Sequence, residues 1–350
     1  MAKVLMKGNE AVAKAAMEAG CKFFFGYPIT PQTEIPEYLS RELPKAGGQF
    51  VQAESEIAAI NMVYGAAAAG ARCMTSSSSP GVALKQEGIG YIAKAQLPAV
   101  IVNMMRGGPG LGGIQPAQGD YNMCVRGGAN GDYHCIVLAP GNLQEAVDMV
   151  MEAFDLADYY RNPVYILADG LIGQMMEPVE FQAPPKRDLP PKDWALTGRG
   201  NGKKHVITNV NLDAEGLEEE NYALFEKYAR IEKEMKRCEE YYMEDAEVAF
   251  ASYGTASRIV RSAVNELRAE GYKVGMIRPK TLWPFPDTTF EKYPRIRRFI
   301  DVELSMGQMV PDVQLAVGDP SKVTFFGRPG GVFFSIEEVK DAAKKALGGV

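Results

Sequence analysis

Residues 49–81 read QFVQAESEIAAINMVYGAAAAGARCMTSSSSPG, and the order of patterns in this stretch decides the fold. Phe50 and Val51 close an extended segment. Glu54, Ser55 and Glu56 then open a helical run, Arg72 to Thr75 returns to a strand, and Ser76 to Gly81 is a polar loop. Ile57, Ile60, Tyr64 and Ala68 keep helical spacing. Ala58, Ala59, Ala66, Ala67 and Ala69 make nearly every face apolar, which predicts a buried helix. A first-turn carboxylate suits the positive end of a helix dipole. At a buried helix end, however, an unpaired carboxylate is costly. Glu56 is therefore either a dipole partner or a group that holds something.

The flanks extend the same alternation. Upstream, Asn9 to Glu18 has helical spacing and stops at Gly20. Lys22 to Tyr27 (KFFFGY) is a short aromatic strand, followed by Pro28-Ile29-Thr30-Pro31 and a helix over 34–42. Thr30 thus falls at the carboxyl end of a strand, where open α/β sheets bind ligands; a tight turn with Thr30 as a helix cap fits the same residues. Downstream, Gly81 to Ala95 reads as a helix and Pro98 to Met104 as a strand apolar on both faces. That strand runs into Arg106 and a glycine-rich stretch ending at Gly113. Glycines permit close backbone approach to a ligand, and an Arg at a strand end can clamp a carboxylate with two hydrogen bonds; a mobile loop with a solvated Arg is the alternative. Cys135 to Leu138, Asn142 to Tyr159 and Pro163 to Ala168 continue as strand, helix, strand. Such alternation implies a parallel sheet with helices on both faces.

The pattern changes after residue 176, so residues 1–176 are expected to form the first domain. Residues 177–244 contain Pro184-Pro185, Pro190-Pro191 and a Gly/Lys run from Gly198 to Lys204, the marks of an extended linker. A charged helix is expected from Leu217 to Glu244, with Leu224, Tyr228, Ile231, Met235 and Cys238 on one face; a solvated bridging helix is the default. Residues 245–350 alternate strands and helices again, an ordinary domain size for a second open sheet.

Composition excludes several classes. The chain is 46% hydrophobic with a net charge of −6, and no basic block suggests nucleic acid. No run approaches the roughly 18 apolar residues of a membrane span, and Met1-Ala2-Lys3-Val4 leads quickly into a helix pattern without the apolar core of a signal peptide. The five cysteines are scattered, with no C-x-x-C, so neither a zinc site nor an iron–sulfur cluster is signalled. Free thiols fit a reducing cytoplasm. Two histidines, His134 and His205, leave little room for His-based catalysis. There is no phosphate-binding P-loop and no G-x-S-x-G elbow. Gly108, Gly110 and Gly113 match G-x-G-x-x-G, but Pro109 lies inside the match and no helix follows as a dinucleotide fingerprint requires. Ser76 to Ser79 lack a nearby His to activate a serine. Asp169-Gly170 is only a fragment of a diphosphate–Mg²⁺ motif.

Tyr27-Pro28-Ile29-Thr30-Pro31, Glu54-Ser55-Glu56 with Gly65 and Gly70, the Ser76–Gly81 loop, Arg106 and Gln118-Gly119-Asp120 together resemble the alpha subunit of 2-oxoacid:ferredoxin oxidoreductases. The resemblance covers nearly the whole chain and is strongest to the 2-oxoisovalerate (3-methyl-2-oxobutanoate) branch, with the 2-oxoglutarate branch next. It implies an α/β fold: a parallel-sheet domain that binds the pyrimidine of thiamine diphosphate, plus a transketolase C-terminal-like domain. The implied reaction, suited to anaerobic metabolism, is oxidative decarboxylation of a 2-oxoacid with coenzyme A to acyl-CoA, CO₂ and reduced ferredoxin. A diphosphate-binding beta subunit would supply Mg²⁺ and share the coenzyme. A ferredoxin-like subunit would carry iron–sulfur clusters, a gamma subunit would complete the assembly, and an external ferredoxin would accept electrons. By motif, Glu56 would hydrogen-bond the pyrimidine N1′, Thr30 would donate to the substrate, and Arg106 would bind its carboxylate. Tyr27, Pro28 and Ile29 would contact the coenzyme, and Ser76, Ser77, Ser78 and Ser79 would line the site. A different thiamine enzyme, such as a sulfopyruvate or indolepyruvate type, and a non-catalytic docking subunit are the competing readings.

Overall fold

The computed structural model describes residues 3–198 and 204–348. Of the expected Gly/Lys run, residues 199–203 lie outside the described residues. The structure is α/β, as the alternation predicts. Its larger sheet has seven strands in the spatial order Thr281–Trp283, Ile136–Leu138, Pro163–Asp169, Ala99–Met105, Cys73–Ser77, Phe23–Gly26 and Gln49–Gln52. All pairs are parallel except the first. Ala99–Met105 and Pro163–Asp169 are buried at every position, as a central parallel strand covered on both faces requires. The second sheet runs Val323–Gly327, Arg298–Glu303, Val248–Ala251, Val274–Pro279 and Cys238–Tyr241, with only the last antiparallel.

Several elements differ from their sequence expectations. Val4–Lys7, just ahead of the expected helix, is a strand paired with Met176–Val179. The charged helix is Ala214–Met235, shorter than expected at its carboxyl end. The chain then turns extended, because Glu239 sits opposite Arg278 in the strand pair and accepts from its guanidinium at 2.7 Å. Nor is this helix merely solvated. Leu224, Tyr228, Ile231 and Met235 are buried, and Tyr228 meets His134 and Trp283 edge to face. Thr281–Trp283, amid residues of the second domain, leaves that sheet and extends the edge of the larger one.

The helix Glu56–Ala68 is the main correction. Its uniformly apolar sequence predicts full burial, yet Ile57, Asn61 and Gly65 are exposed, while Glu56, Ala59, Ile60, Val63, Ala67 and Ala68 are buried. One face packs on the sheet and on the helix Ser79–Lys94; the opposite stripe is open in the isolated chain.

The two sheets are clasped by Gln118. Its amide donates to the Tyr253 carbonyl at 2.9 Å and accepts from the Leu304 N–H at 2.8 Å. Its own N–H donates to the Leu304 carbonyl at 2.8 Å. Nearby, Tyr121 donates to Asp312 at 2.5 Å. The Gln-Gly-Asp stretch therefore works largely as a joint. Farther along the interface, Arg278 forms a two-pronged pair with Glu145 at 2.6 and 2.9 Å.

Gln118→Ala is expected to leave the buried Leu304 N–H and Tyr253 carbonyl unpaired, costing about 2–3 kcal/mol. Urea unfolding of the variant beside wild type measures that cost. Burial alone would raise the Glu145 carboxyl, but Arg278 and the Gly141 N–H bring it down to about 2. Its folded pKa is thus below its unfolded value, so its contribution is complete above about pH 4.5 and is lost as pH falls towards 2. Thermal unfolding at descending pH should show a loss of about 2 kcal/mol, after allowance for solvent screening. Glu145→Gln should flatten that slope.

Candidate active site

Four neighbouring strands of the larger sheet deliver the candidate residues at their carboxyl ends. Phe23–Gly26 leads to the exposed rim Tyr27, Pro28 and Thr30, with Ile29 half-buried. Gln49–Gln52 leads to Glu56, Cys73–Ser77 to the serine loop, and Ala99–Met105 to Arg106. Adjacent carboxyl ends of parallel strands form the crevice where such sheets bind ligands.

Glu56 is the first residue of its helix. Ser55 caps that helix by accepting from the Ala58 N–H at 3.1 Å. Although Glu56 is 7% exposed, no described residue donates a hydrogen bond to its carboxylate in the structure. The carboxylate lies over Gly81 in the first turn of the helix Ser79–Lys94. A Cβ at Gly81 would stand 2.7 Å from Glu56 Oε1 and collide with Ser77 Oγ. Only a glycine fits there. The free carboxylate, at the positive end of its own helix, is an acceptor waiting for a donor.

The serines expected as a loop from Ser76 to Gly81 instead end the strand Cys73–Ser77 and open the helix Ser79–Lys94, and this turn connects the acceptor to the other candidates. Ser76 donates to Gln32 Oε1 at 2.5 Å, behind Thr30. The hydroxyls of Ser77 and Ser78 are buried without a partner in the structure, an unusual condition for a core polar group. Ser79 donates to Asp120 at 2.6 Å and accepts from the Arg106 N–H at 3.0 Å. Asn103 also donates to Asp120, at 2.9 Å. Burial pushes the Asp120 carboxyl above its ordinary range, against the pull of these hydrogen bonds.

Arg106 is placed differently from a solvated loop residue. It is 6% exposed, and its guanidinium donates to the Thr30 carbonyl at 2.8 Å and the Leu111 carbonyl at 2.9 Å. Only Nε is left without a partner. Arg106 therefore pins the Thr30 turn to the glycine-rich loop. Beside Thr30 opens a cavity of about 560 Å³, lined by the apolar Ile114, Leu171 and Phe333 and by the polar Glu34, Gln115 and Gln174.

Sequence reasoning missed Gln32, Asn103 and Lys85. Asn103 had a visible signal, a lone amide in an otherwise apolar strand. Lys85 had a subtler one: with Gly81 and Gly88 it forms a stripe at helical spacing. Asp169 is no metal fragment but the cap of the short helix Gly170–Gln174, accepting from Leu171 and Ile172 N–H groups. Among the described residues, no group of three or more His, Cys, Asp or Glu side chains is placed to hold a metal ion. No helix among them is long and apolar enough to cross a membrane.

A strand-end crevice with a buried carboxylate that no described residue hydrogen-bonds, beside a cluster of serines, is a candidate ligand site in an α/β fold, and the comparisons give the family. Residues 14–245 match the thiamine-diphosphate-binding model of pyruvate flavodoxin/ferredoxin oxidoreductases, and residues 246–339 match core domain II of pyruvate:ferredoxin oxidoreductase. The chain belongs to this oxidoreductase family. It is 52% identical over 349 residues to the ketoisovalerate oxidoreductase subunit VorB of Methanothermobacter thermautotrophicus, covering 99% of each chain. Identity to the 2-oxoglutarate synthase subunit KorA of Methanocaldococcus jannaschii is 37%, covering 96% of this chain and 98% of that one. Among solved structures, a 2-oxoglutarate:ferredoxin oxidoreductase from Magnetococcus marinus superposes with a TM-score of 0.90 at 28% identity, over 99% of this chain and 65% of that longer one. A split-gene transketolase, at TM-score 0.60 and 14% identity, shares the fold.

Gly81→Ala should push the Glu56 carboxylate out of place. We expect at least a tenfold fall in kcat for the assembled enzyme, with the far-ultraviolet circular dichroism of the chain unchanged.

Proposed function

We propose that this chain is the pyrimidine-binding subunit of a ferredoxin-dependent oxidoreductase for branched-chain 2-oxoacids. The observation that carries the coenzyme assignment is the Glu56 carboxylate, buried against the Gly81 backbone yet lacking any donor from the chain. The N1′ of an aminopyrimidine, which becomes a donor once it carries a proton, is a partner that fits it. When bound, thiamine diphosphate supplies a nucleophilic carbon that attacks the carbonyl of a 2-oxoacid and stabilises the charge released on loss of CO₂. Glu56 shares a proton at N1′ and so promotes that reactivity. Ser77 and Ser78 offer buried hydroxyls beside it. Thr30 faces the substrate, and Tyr27, Pro28 and Ile29 form the rim. Arg106, engaged by two carbonyls, orders the Thr30 turn and keeps Nε for an anionic group. The walls Ile114, Leu171 and Phe333 support a small aliphatic side chain on the substrate.

The remaining components fall to partners: a beta subunit holding the diphosphate and Mg²⁺, a ferredoxin-like subunit carrying iron–sulfur clusters, a gamma subunit, and an external ferredoxin as acceptor. Coenzyme A takes the acyl group. The higher identity to the ketoisovalerate subunit than to the 2-oxoglutarate subunit favours the branched-chain acid. Five free cysteines support work in a reducing cytoplasm. In organisation, residues 1–176 form the coenzyme domain, residues 177–244 a linker with the charged helix, and residues 245–350 the second domain.

Glu56→Gln should abolish ferredoxin-linked decarboxylation, by about a thousandfold or more, while the complex still assembles. Near-wild-type rates would remove Glu56 from the site. Steady-state kinetics of the reconstituted complex should give kcat/KM highest for 2-oxoisovalerate, above 2-oxoglutarate and pyruvate.

A further inference from the structure

Lys85 is fully buried in the helix Ser79–Lys94. Its ammonium makes one hydrogen bond in the structure, to Thr75 Oγ1 at 2.8 Å, although it carries three donors. Removing a positive charge from water without a counter-charge is expensive, and a methionine or leucine would fill the same volume at no such cost. Something must face the charge.

The packing shows what does. Gly81, Lys85 and Gly88 occupy one face of their helix, at positions i, i+4 and i+7. Gly81 lies beneath the Glu56 carboxylate, and a Cβ at Gly88 would meet the Ile60 side chain at 2.5 Å. Both contacts come from the helix Glu56–Ala68, so Lys85 sits on the stripe that faces the first turn of that helix. From the sheet side, the strand Cys73–Ser77 offers the neutral Thr75 hydroxyl. Among the described residues, Glu56 is the one charged group that acts on Lys85. Burial lowers the Lys85 pKa to about 8, and Glu56 pulls it up.

We propose that Lys85 is a positioning residue for Glu56: its buried ammonium, opposite in charge, holds the Glu56 carboxylate aimed to pair with the proton-bearing N1′ of the coenzyme pyrimidine. This rests on the assignment of Glu56 made above. A cation beside a carboxylate favours the carboxylate's charged form. Lys85 thereby weights the shared proton towards the ligand nitrogen, and it does so from behind Glu56, without touching ligand or substrate. Thr75 lies in the middle of the strand Cys73–Ser77, so the Lys85–Thr75 bond also ties the helix Ser79–Lys94 to the strand that carries Ser76 and Ser77.

The test uses the reconstituted complex with Lys85→Gln, which can keep the Thr75 hydrogen bond without the charge, and with Lys85→Met. Thiamine diphosphate affinity is measured by titration calorimetry, and kcat by ferredoxin reduction, both between about pH 6 and 9. We expect each neutral variant to bind the coenzyme about tenfold more weakly near neutrality. The acid limbs of both profiles should move up by about one pH unit, and Lys85→Arg should return them towards wild type. Unshifted limbs overturn the proposal, whether affinity is unchanged or falls equally at every pH. So does failure of both neutral variants to assemble, which would assign Lys85 to folding alone. Glu56→Gln separates the two ideas. If it retains turnover, the assignment of Glu56 falls; if it is inactive while the Lys85 variants keep the wild-type profiles, only the role of Lys85 falls.

Discussion

The close approach of the Glu56 carboxylate to the backbone of Gly81 is the constraint on which the site depends. Two helices begin at the carboxyl ends of neighbouring strands, and their first turns converge. One brings an acid, the other brings bare backbone. Because the second has no side chain at the contact, the acid can occupy the space that a Cβ at Gly81 would take. A side chain at that contact would meet Ser77 Oγ and the Glu56 carboxylate and displace them. The carboxylate sits in the first turn of its own helix and beside the first turn of the other, so the positive ends of both helices offset its burial where the chain supplies no hydrogen bond.

Much of this was legible in the sequence because it is local. The aromatic strand Phe23–Gly26 and the apolar strand Ala99–Met105 follow from residue type alone, and the helix over 34–42 falls at its expected bounds. Glu56, Thr30, Arg106 and the serines were legible because a strand end followed by a polar turn is a recognisable pattern. What stayed hidden is tertiary. Nothing local says that Arg106 spends its guanidinium on two backbone carbonyls, since those carbonyls lie 76 and 5 residues away. Nor does helical spacing reveal that Lys85 faces a carboxylate from another helix. The open stripe on the helix Glu56–Ala68 misled in the opposite direction. An all-apolar helix is buried in the functional assembly or in the chain itself, and the sequence does not distinguish the two cases.

The joint between the sheets shows the same division of labour. Gln118 reads as part of a motif, and its neighbour Asp120 does reach the serine loop. Gln118 itself points the other way and satisfies Tyr253 and Leu304 across the interface. Three consecutive residues thus bind the coenzyme domain to its neighbour on one side and brace the crevice on the other. A shift of the second domain would be felt at Ser79 through a very short stretch of chain.

Thr281–Trp283 carries a practical consequence. This strand belongs in sequence to the second half of the chain, yet it closes the edge of the larger sheet against Ile136–Leu138. Cutting the gene at the apparent boundary would strip that cover and leave Ile136–Leu138 with a bare row of backbone donors and acceptors, the kind of edge that recruits foreign strands. The halves are separable on paper and interlocked in three dimensions, so splitting this chain or exchanging one of its halves must move the edge strand together with the sheet it completes.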